Sequence, residues 1–158
     1  MNRYLQELLK TTFIRSSQMA YVEGAKDTAA VLCHMDRLLR YWLKGVKLVP
    51  LKEEIAILED YAAIIALDSD RAITLELPPD APDRFIQRRG ILEFLCEHYP
   101  PDPSPEWIGS RCHVRVLQGG TGEELNVSLR VATSLSERVY HRTIRETRKA
   151  DHADDVDR

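Results

Sequence analysis

Apolar residues recur at helical spacing through the first part of the chain and at strand spacing through the last part. From Asn2 to about Val22, the residues Leu5, Leu8, Leu9, Phe13 and Met19 approximate one stripe, which predicts an amphipathic helix. Gly24 breaks the pattern. Asp27 is a candidate N-cap for a second helix, in which Val31, Met35, Leu38, Leu39 and Trp42 share a face and which Gly45 stops. "VKLVP" is extended, because the residue before Pro50 avoids the helical region. "LKEEIAILEDYAAIIALDSD" is a third helix, with Ile55, Leu58, Ala62 and Ile65 inward and Glu53, Glu54 and Glu59 off that face.

After Asp70 the period changes to two. Ile73, Leu75 and Leu77 point one way and Thr74 and Glu76 the other, which predicts a half-buried strand. "PPDAPD" reads as a loop, and "RFIQRRGILEFLCEHY" as a helix with Phe85, Ile91, Leu92 and Leu95 apolar. "PPDPSPEWIG" holds too much proline for either element. "RCHVRVLQ" and "ELNVSLRVA" alternate as strands, joined by "GGTGE" as a hairpin. "SERVYHRTIRETRKADHADDVDR" begins as a helix and decays into a charged tail, whose last ten or so residues are expected to be disordered. The expected division is a helical dimerisation domain over 1–67, an α/β domain over 68–145 and a tail over 146–158.

Composition narrows the function classes. The chain has 158 residues, 44% hydrophobic and 30% charged, with a formal net charge of -3. A normal core is expected. A global basic excess is absent, so nucleic-acid binding lacks electrostatic support. Cys33, Cys96 and Cys112 are far apart, with no CxxC, and read as reduced thiols in a cytoplasmic protein. No apolar run approaches the roughly 20 residues of a membrane helix, and "MNRYLQELLK" is charged throughout, unlike a signal peptide.

Three ordered blocks carry a resemblance. "LLRYWL", "VPLKEEIAILEDYAAI" and "DSDRAITLEL" resemble the internal region of LytS-type sensor histidine kinases. Leu51, Glu53, Glu54 and Tyr61 match the second block, where Asp60 replaces the usual asparagine; Arg71 matches the end of the third. The likeness is good from about Leu38 to Leu77 and weaker from Leu5 to Val131. It implies an α+β fold: an N-terminal helical hairpin forming a dimeric four-helix bundle, then a reduced, degenerate histidine-kinase-type ATPase α/β sandwich. Physical reasoning runs the same way, since amphipathic helices paired as a hairpin bury their stripes across a two-fold axis.

The chain departs from those kinases at each chemical station. Thr12 stands where the resemblance places the phosphoacceptor histidine, with Thr11 and Ser16 replacing its proline and asparagine and Phe13 matching a phenylalanine. Threonine lacks the imidazole nitrogen that accepts phosphate and readily gives it up. In "FLCEHYPP", Glu97 matches the glutamate of the nucleotide-site helix, but His98 occupies the asparagine position and prolines follow. "RVATSLSERVYHR" lacks the Asp-x-Gly-x-Gly turn that grips adenine, and no glycine-rich lid follows.

Other candidates have plainer readings. "GGTG" at Gly119 to Gly122 is better explained as a hairpin turn than as a phosphate loop. His34, on the second helix, is better read as a solvated or bundle-rim histidine than as a carrier of phosphate in place of the missing histidine. Cys96, Glu97 and His98 are adjacent on a helix and point apart, against a shared metal. Arg138, Arg142 and Arg145 fall at helical spacing, as a phosphate or acidic-partner face or a solvated one. The acidic residues of "LKEEIAILED" fit helix-start signals better than paired-carboxylate catalysis, and Trp42 and Trp107 read as core or interface. No catalytic, cofactor-binding or metal-binding residue is assigned. The expectation is a pseudokinase-like signalling protein that dimerises and binds a response regulator or partner kinase. The alternatives are a phosphotransferase working through His34 and an atypical active sensor kinase.

Overall fold

The computed structural model describes residues 8, 11, 12, 15, 16, 19, 22, 25–67, 70–77, 84–101, 104–119 and 124–148. Three continuous helices lie among them: α1 Ala25–Leu43, α2 Leu51–Ala66 and α3 Gly90–His98. Six strands accompany them: β1 Leu48–Pro50, β2 Ala72–Glu76, β3 Arg84–Gln87, β4 Arg111–Gln118, β5 Glu124–Ala132 and β6 Glu137–Arg148. Upstream, Leu8, Thr11, Thr12, Arg15, Ser16, Met19 and Val22 are helical, and Leu8, Thr12 and Ser16 are buried.

The strand order is β1-β3-β6-β5-β4-β2. Strand β6 is shared between two sheets. Its span from Glu137 to Arg145 pairs antiparallel with β5, and its last residues, Glu146 to Arg148, pair with Ile86 to Arg84 of β3. Strand β2 closes the far edge parallel to β4. The two-residue period decides which face is covered. Cys112, Val114 and Val116 of β4 and Leu125, Val127, Leu129 and Val131 of β5 are all buried, and the residues between them face outward. Helix α2 lays Leu51, Ile57, Leu58, Tyr61, Ile64 and Ile65 into the same cluster, and α3 adds Ile91, Leu92, Phe94 and Leu95. At about 25 cal/mol per Å² of apolar surface removed from water, this burial is the main favourable contribution to folding.

The fold corrects the expected architecture. The described residues form a small α+β domain with three continuous helices and two sheets, not an N-terminal helical hairpin forming a dimeric four-helix bundle ahead of a degenerate histidine-kinase-type ATPase sandwich. The apolar stripe that seemed to need a second chain is covered within one. Val31, Met35, Leu38, Tyr41 and Trp42 of α1 join Leu8 and the α2 and sheet residues in a single cluster. Leu5, Leu9 and Phe13 lie outside the described residues.

Two elements also differ from the sequence reading. "RFIQ" is strand β3, not the start of a helix; Arg89, at φ 67, turns the chain before α3 begins at Gly90. "ERVYHRTIRETR" is strand β6 rather than a helix. Its inward positions read Arg138, Tyr140, Arg142 and Ile144, so the apolar alternation is diluted by two arginines. The turn at 120–123 and the tail after Arg148 lie outside the described residues, and Gly119 N–H closes the β4–β5 pair on Glu124 O at 2.7 Å.

Candidate functional site

A groove of about 680 Å³ opens where β6 passes from β5 to β3. Its walls are the approach to β1 (Gly45 to Leu48), the turn into α3 (Gln87 to Gly90, with Glu93) and Arg142 to Arg145 of β6. Five cationic residues line it, Lys47, Arg88, Arg89, Arg142 and Arg145, with one acidic residue, Glu93.

Local structure fixes each of these cations differently. Arg88 donates through Nη1 to Tyr41 O at 3.2 Å and Trp42 O at 2.9 Å, two carbonyls at the C-terminal end of α1. A cation there meets the negative end of the helix dipole. Burial, with Arg89 beside it, lowers the Arg88 guanidinium from its ordinary value. Arg89 stands over the Trp42 ring at 5.2 Å and pairs with Glu93 at 3.6 Å. Arg142 reaches Glu97 at 3.0 Å and covers Phe94 at 4.5 Å. Lys47, Arg88 and Arg145 have no carboxylate within ion-pair distance among the described residues.

Beneath the groove, Glu54 organises the turn. Its Oε2 accepts from Arg89 N–H at 2.9 Å, and its Oε1 accepts from Ile91 N–H at 3.1 Å and Leu92 N–H at 3.0 Å. Tyr41 Oη also accepts from Arg89 N–H, at 3.0 Å. A side chain from α2 therefore caps α3, where Arg89 at the N-cap position supplies no side-chain cap of its own. Burial pushes the Glu54 carboxyl up to about 7 despite the three N–H groups that favour its charge.

A second cluster lies on the paired helices. His34 Nδ1 is 2.7 Å from Asp60 Oδ1, and Arg37 Nη2 reaches the same oxygen at 2.6 Å. Asp60 is nearly buried, at 7% exposure, whereas His34 retains 28%. A carboxylate that accepts the hydrogen bond of Nδ1–H leaves Nε2 as the ring nitrogen with the free lone pair. The Arg37 contact to Nδ1, at 2.9 Å, follows from both groups sharing one Asp60 oxygen.

The remaining candidates scatter. Thr12 is buried and donates its hydroxyl to Leu8 O at 2.7 Å, so a local backbone bond occupies it. Cys96 is buried, with its thiol pushed up to about 12. Glu97 turns to Arg142, and His98 stacks on Tyr140 at 3.9 Å, where burial lowers its imidazole. No group of three or more His, Cys, Asp or Glu among the described residues is placed to hold a metal. Arg138 and Arg142 share the inward face of β6 and Arg145 the outward one, so helical spacing does not bring the three together. Trp42 is core, and Trp107 packs edge-on against Tyr99 at 5.5 Å.

Sequence reasoning missed two residues. Glu54, placed off the buried face, is fully buried; Leu51, Glu54, Leu58, Tyr61 and Ile65 form the true stripe, and that spacing was the available signal. Arg71 is buried, at 3% exposure, lying 4.4 Å from the Tyr99 ring centre and donating to Pro100 O at 2.7 Å.

Among the described residues no helix is long and apolar enough to cross a membrane. No protein-family model matches the chain, and a search of curated proteins finds no match either.

Proposed function

We propose that this protein works by binding, and that the groove between β1, β3 and β6 takes an acidic segment of a partner protein. The observation that carries this is the set Lys47, Arg88 and Arg145, three cationic residues lining one groove without a carboxylate within ion-pair distance among the described residues, in a chain whose net charge is -3. Such a focus of charge steers an acidic partner and gives a salt-sensitive contact. The resemblance to sensor kinases makes a response regulator or a partner kinase the class to test first. Fluorescence anisotropy of a labelled polyglutamate peptide tests the charge preference. The full chain should bind it at low salt and Lys47→Glu/Arg145→Glu should not; equal binding by both would refute the groove.

Homodimerisation, expected from the sequence, needs a surface other than the α1 stripe, which is covered within the chain. Light scattering at micromolar concentration measures it directly.

The His34–Asp60 pair supports a second reading, phosphoryl transfer through His34. Nε2 would attack the phosphorus of an acyl phosphate, forming an N–P bond as the P–O bond breaks and the carboxylate leaves. Asp60 would hold the Nδ1 proton throughout. Acid-labile phosphate from acetyl phosphate or a phosphorylated response regulator, abolished by His34→Ala and reduced by Asp60→Asn, supports it. An unlabelled wild-type protein rejects it.

A further inference from the structure

We infer that a second copy of this chain pairs on the outer edge of β2, in a symmetric antiparallel match centred on Thr74. The inference rests on the expectation of homodimerisation, supplies the surface that it needs, and makes no use of the groove.

The strand order sets β2 at the end of the sheet, with β4 as its one neighbour among the described residues. Ala72 N–H donates to Ser110 O at 3.2 Å, so the main-chain groups of Ala72, Thr74 and Glu76 turn toward β4. Those of Ile73 and Leu75 therefore turn to the open edge. Their side chains pack against the core and stay half-buried, whereas their β4 neighbours Cys112 and Val114 are buried completely.

Folded proteins guard such edges with short strands, proline, lysine or bulges. The opposite edge is guarded in this way: β1 has three residues and ends in Pro50. Strand β2, "AITLE", holds no proline, glycine or lysine. Its one charge, Glu76, is turned back onto β4, 2.8 Å from Arg115 and 3.1 Å from His113.

The strand is also its own complement. Thr74 is the middle residue of β2, so a two-fold axis there gives every residue of the strand a partner. Ile73 stands opposite Leu75 of the second copy, and Leu75 opposite its Ile73. Both pairs present N–H and C=O groups to each other, and each pair exchanges both main-chain hydrogen bonds. On the core side, Ile73 and Leu75 cover each other's remaining exposure across the axis. On the outer side, Thr74 meets Thr74 as a non-hydrogen-bonded pair, a favourable cross-strand match. Glu76 meets Ala72, so no like charges face each other.

The test reads mass against concentration for the full chain by light scattering. Wild type should approach the dimer mass as concentration rises. Thr74→Lys and Thr74→Glu each set like charges opposite across the axis and should weaken the dimer by on the order of tenfold. An equimolar mixture of the two should restore it. Thr74 is exposed, so neither change touches the core, and Cys96 and Cys112 should stay closed to Ellman's reagent in both variants. In Cys33→Ser/Thr74→Cys, mild oxidation should link the two introduced thiols, since a non-hydrogen-bonded pair has the Cα spacing that a disulfide accepts. Should either charged variant expose the buried thiols, the disulfide decides alone. A wild-type monomer at every concentration overturns homodimerisation and this surface together. A wild-type dimer that Thr74→Lys leaves intact and that forms no such disulfide overturns the β2 edge and leaves homodimerisation to another face. Loss of the dimer in both variants without recovery in their mixture overturns the match at Thr74.

Discussion

Replacing Glu54 should expose how much the start of α3 depends on a side chain from another helix. Glu54→Ala removes the acceptor of three main-chain N–H groups. That of Arg89 keeps Tyr41 Oη at 3.0 Å, but Ile91 and Leu92 are both 0% exposed, so water cannot take over. A buried, unpartnered donor costs about 1–3 kcal/mol, so two of them set the expected loss at about 2–6 kcal/mol. Glu54→Gln separates hydrogen bonding from charge. Its oxygen keeps Ile91 and Leu92, while its amide nitrogen faces the Arg89 N–H, for a loss of about 1 kcal/mol at low pH.

The charge has its own signature. Because the folded-state carboxyl lies at about 7, above its ordinary 4.5, the native state binds more protons than the unfolded state across that window. Stability contributed by the protonated form is complete below pH 4.5 and is lost as pH rises through 7, by about 3 kcal/mol at roughly 1.4 kcal/mol per unit. His98, lowered by burial, gives an opposing slope in the histidine range, but it is present in both proteins and cancels in the difference. Urea denaturation of wild type and Glu54→Gln from pH 5 to pH 8 measures that difference. Parallel curves over this range would refute the assignment of the titration to Glu54, and a Glu54→Ala loss within 0.5 kcal/mol would refute the capping role.

Three further outcomes follow from the buried polar groups. Arg71→Ala, which removes the guanidinium over Tyr99 and its bond to Pro100 O, should cost about 2–4 kcal/mol in urea denaturation. Tyr61 donates to Tyr99 O at 2.9 Å and burial raises its phenol well above the usual range, so its phenolate absorbance should appear only as the chain unfolds in alkali; Tyr61→Phe should cost about 1 kcal/mol. Native protein at pH 8 should react with Ellman's reagent at the exposed Cys33 alone, while Cys96 and Cys112, pushed up to about 12, react only in denaturant.

Much of the fold was legible where period and punctuation agreed. Helix α2 follows Pro50, and strands β2, β4 and β5 carry undiluted alternation. It failed where inward positions are charged. Arg138 and Arg142 interrupt the apolar face of β6, and the aliphatic residues after Gly90 lent their helical period to "RFIQ". A buried carboxylate such as Glu54 defeats pattern reading because its partners are main-chain groups 35 to 38 residues away, which no local window contains. The groove was illegible for the same reason: Lys47, Arg88 and Arg145 come from three separate strands or turns and meet only after β6 has joined two sheets. The four-helix-bundle expectation failed differently, by counting the apolar stripe of α1 without the α2 face that covers it.

Strand β6 also sets an order of events during synthesis. It lies between β3 and β5 in the sheets yet is the last of the six strands to leave the ribosome. Until it arrives, β1 and β3 can pair only with each other, and β2, β4 and β5 form a separate ribbon. The facing edges of β3 and β5 are then open to any passing strand, the exposure that leads nascent chains to aggregate. A chain halted before Glu137 thus holds two strand sets with complementary open edges, linked only through the helices packed on both, and an added β6 peptide is the one piece that completes the sheets.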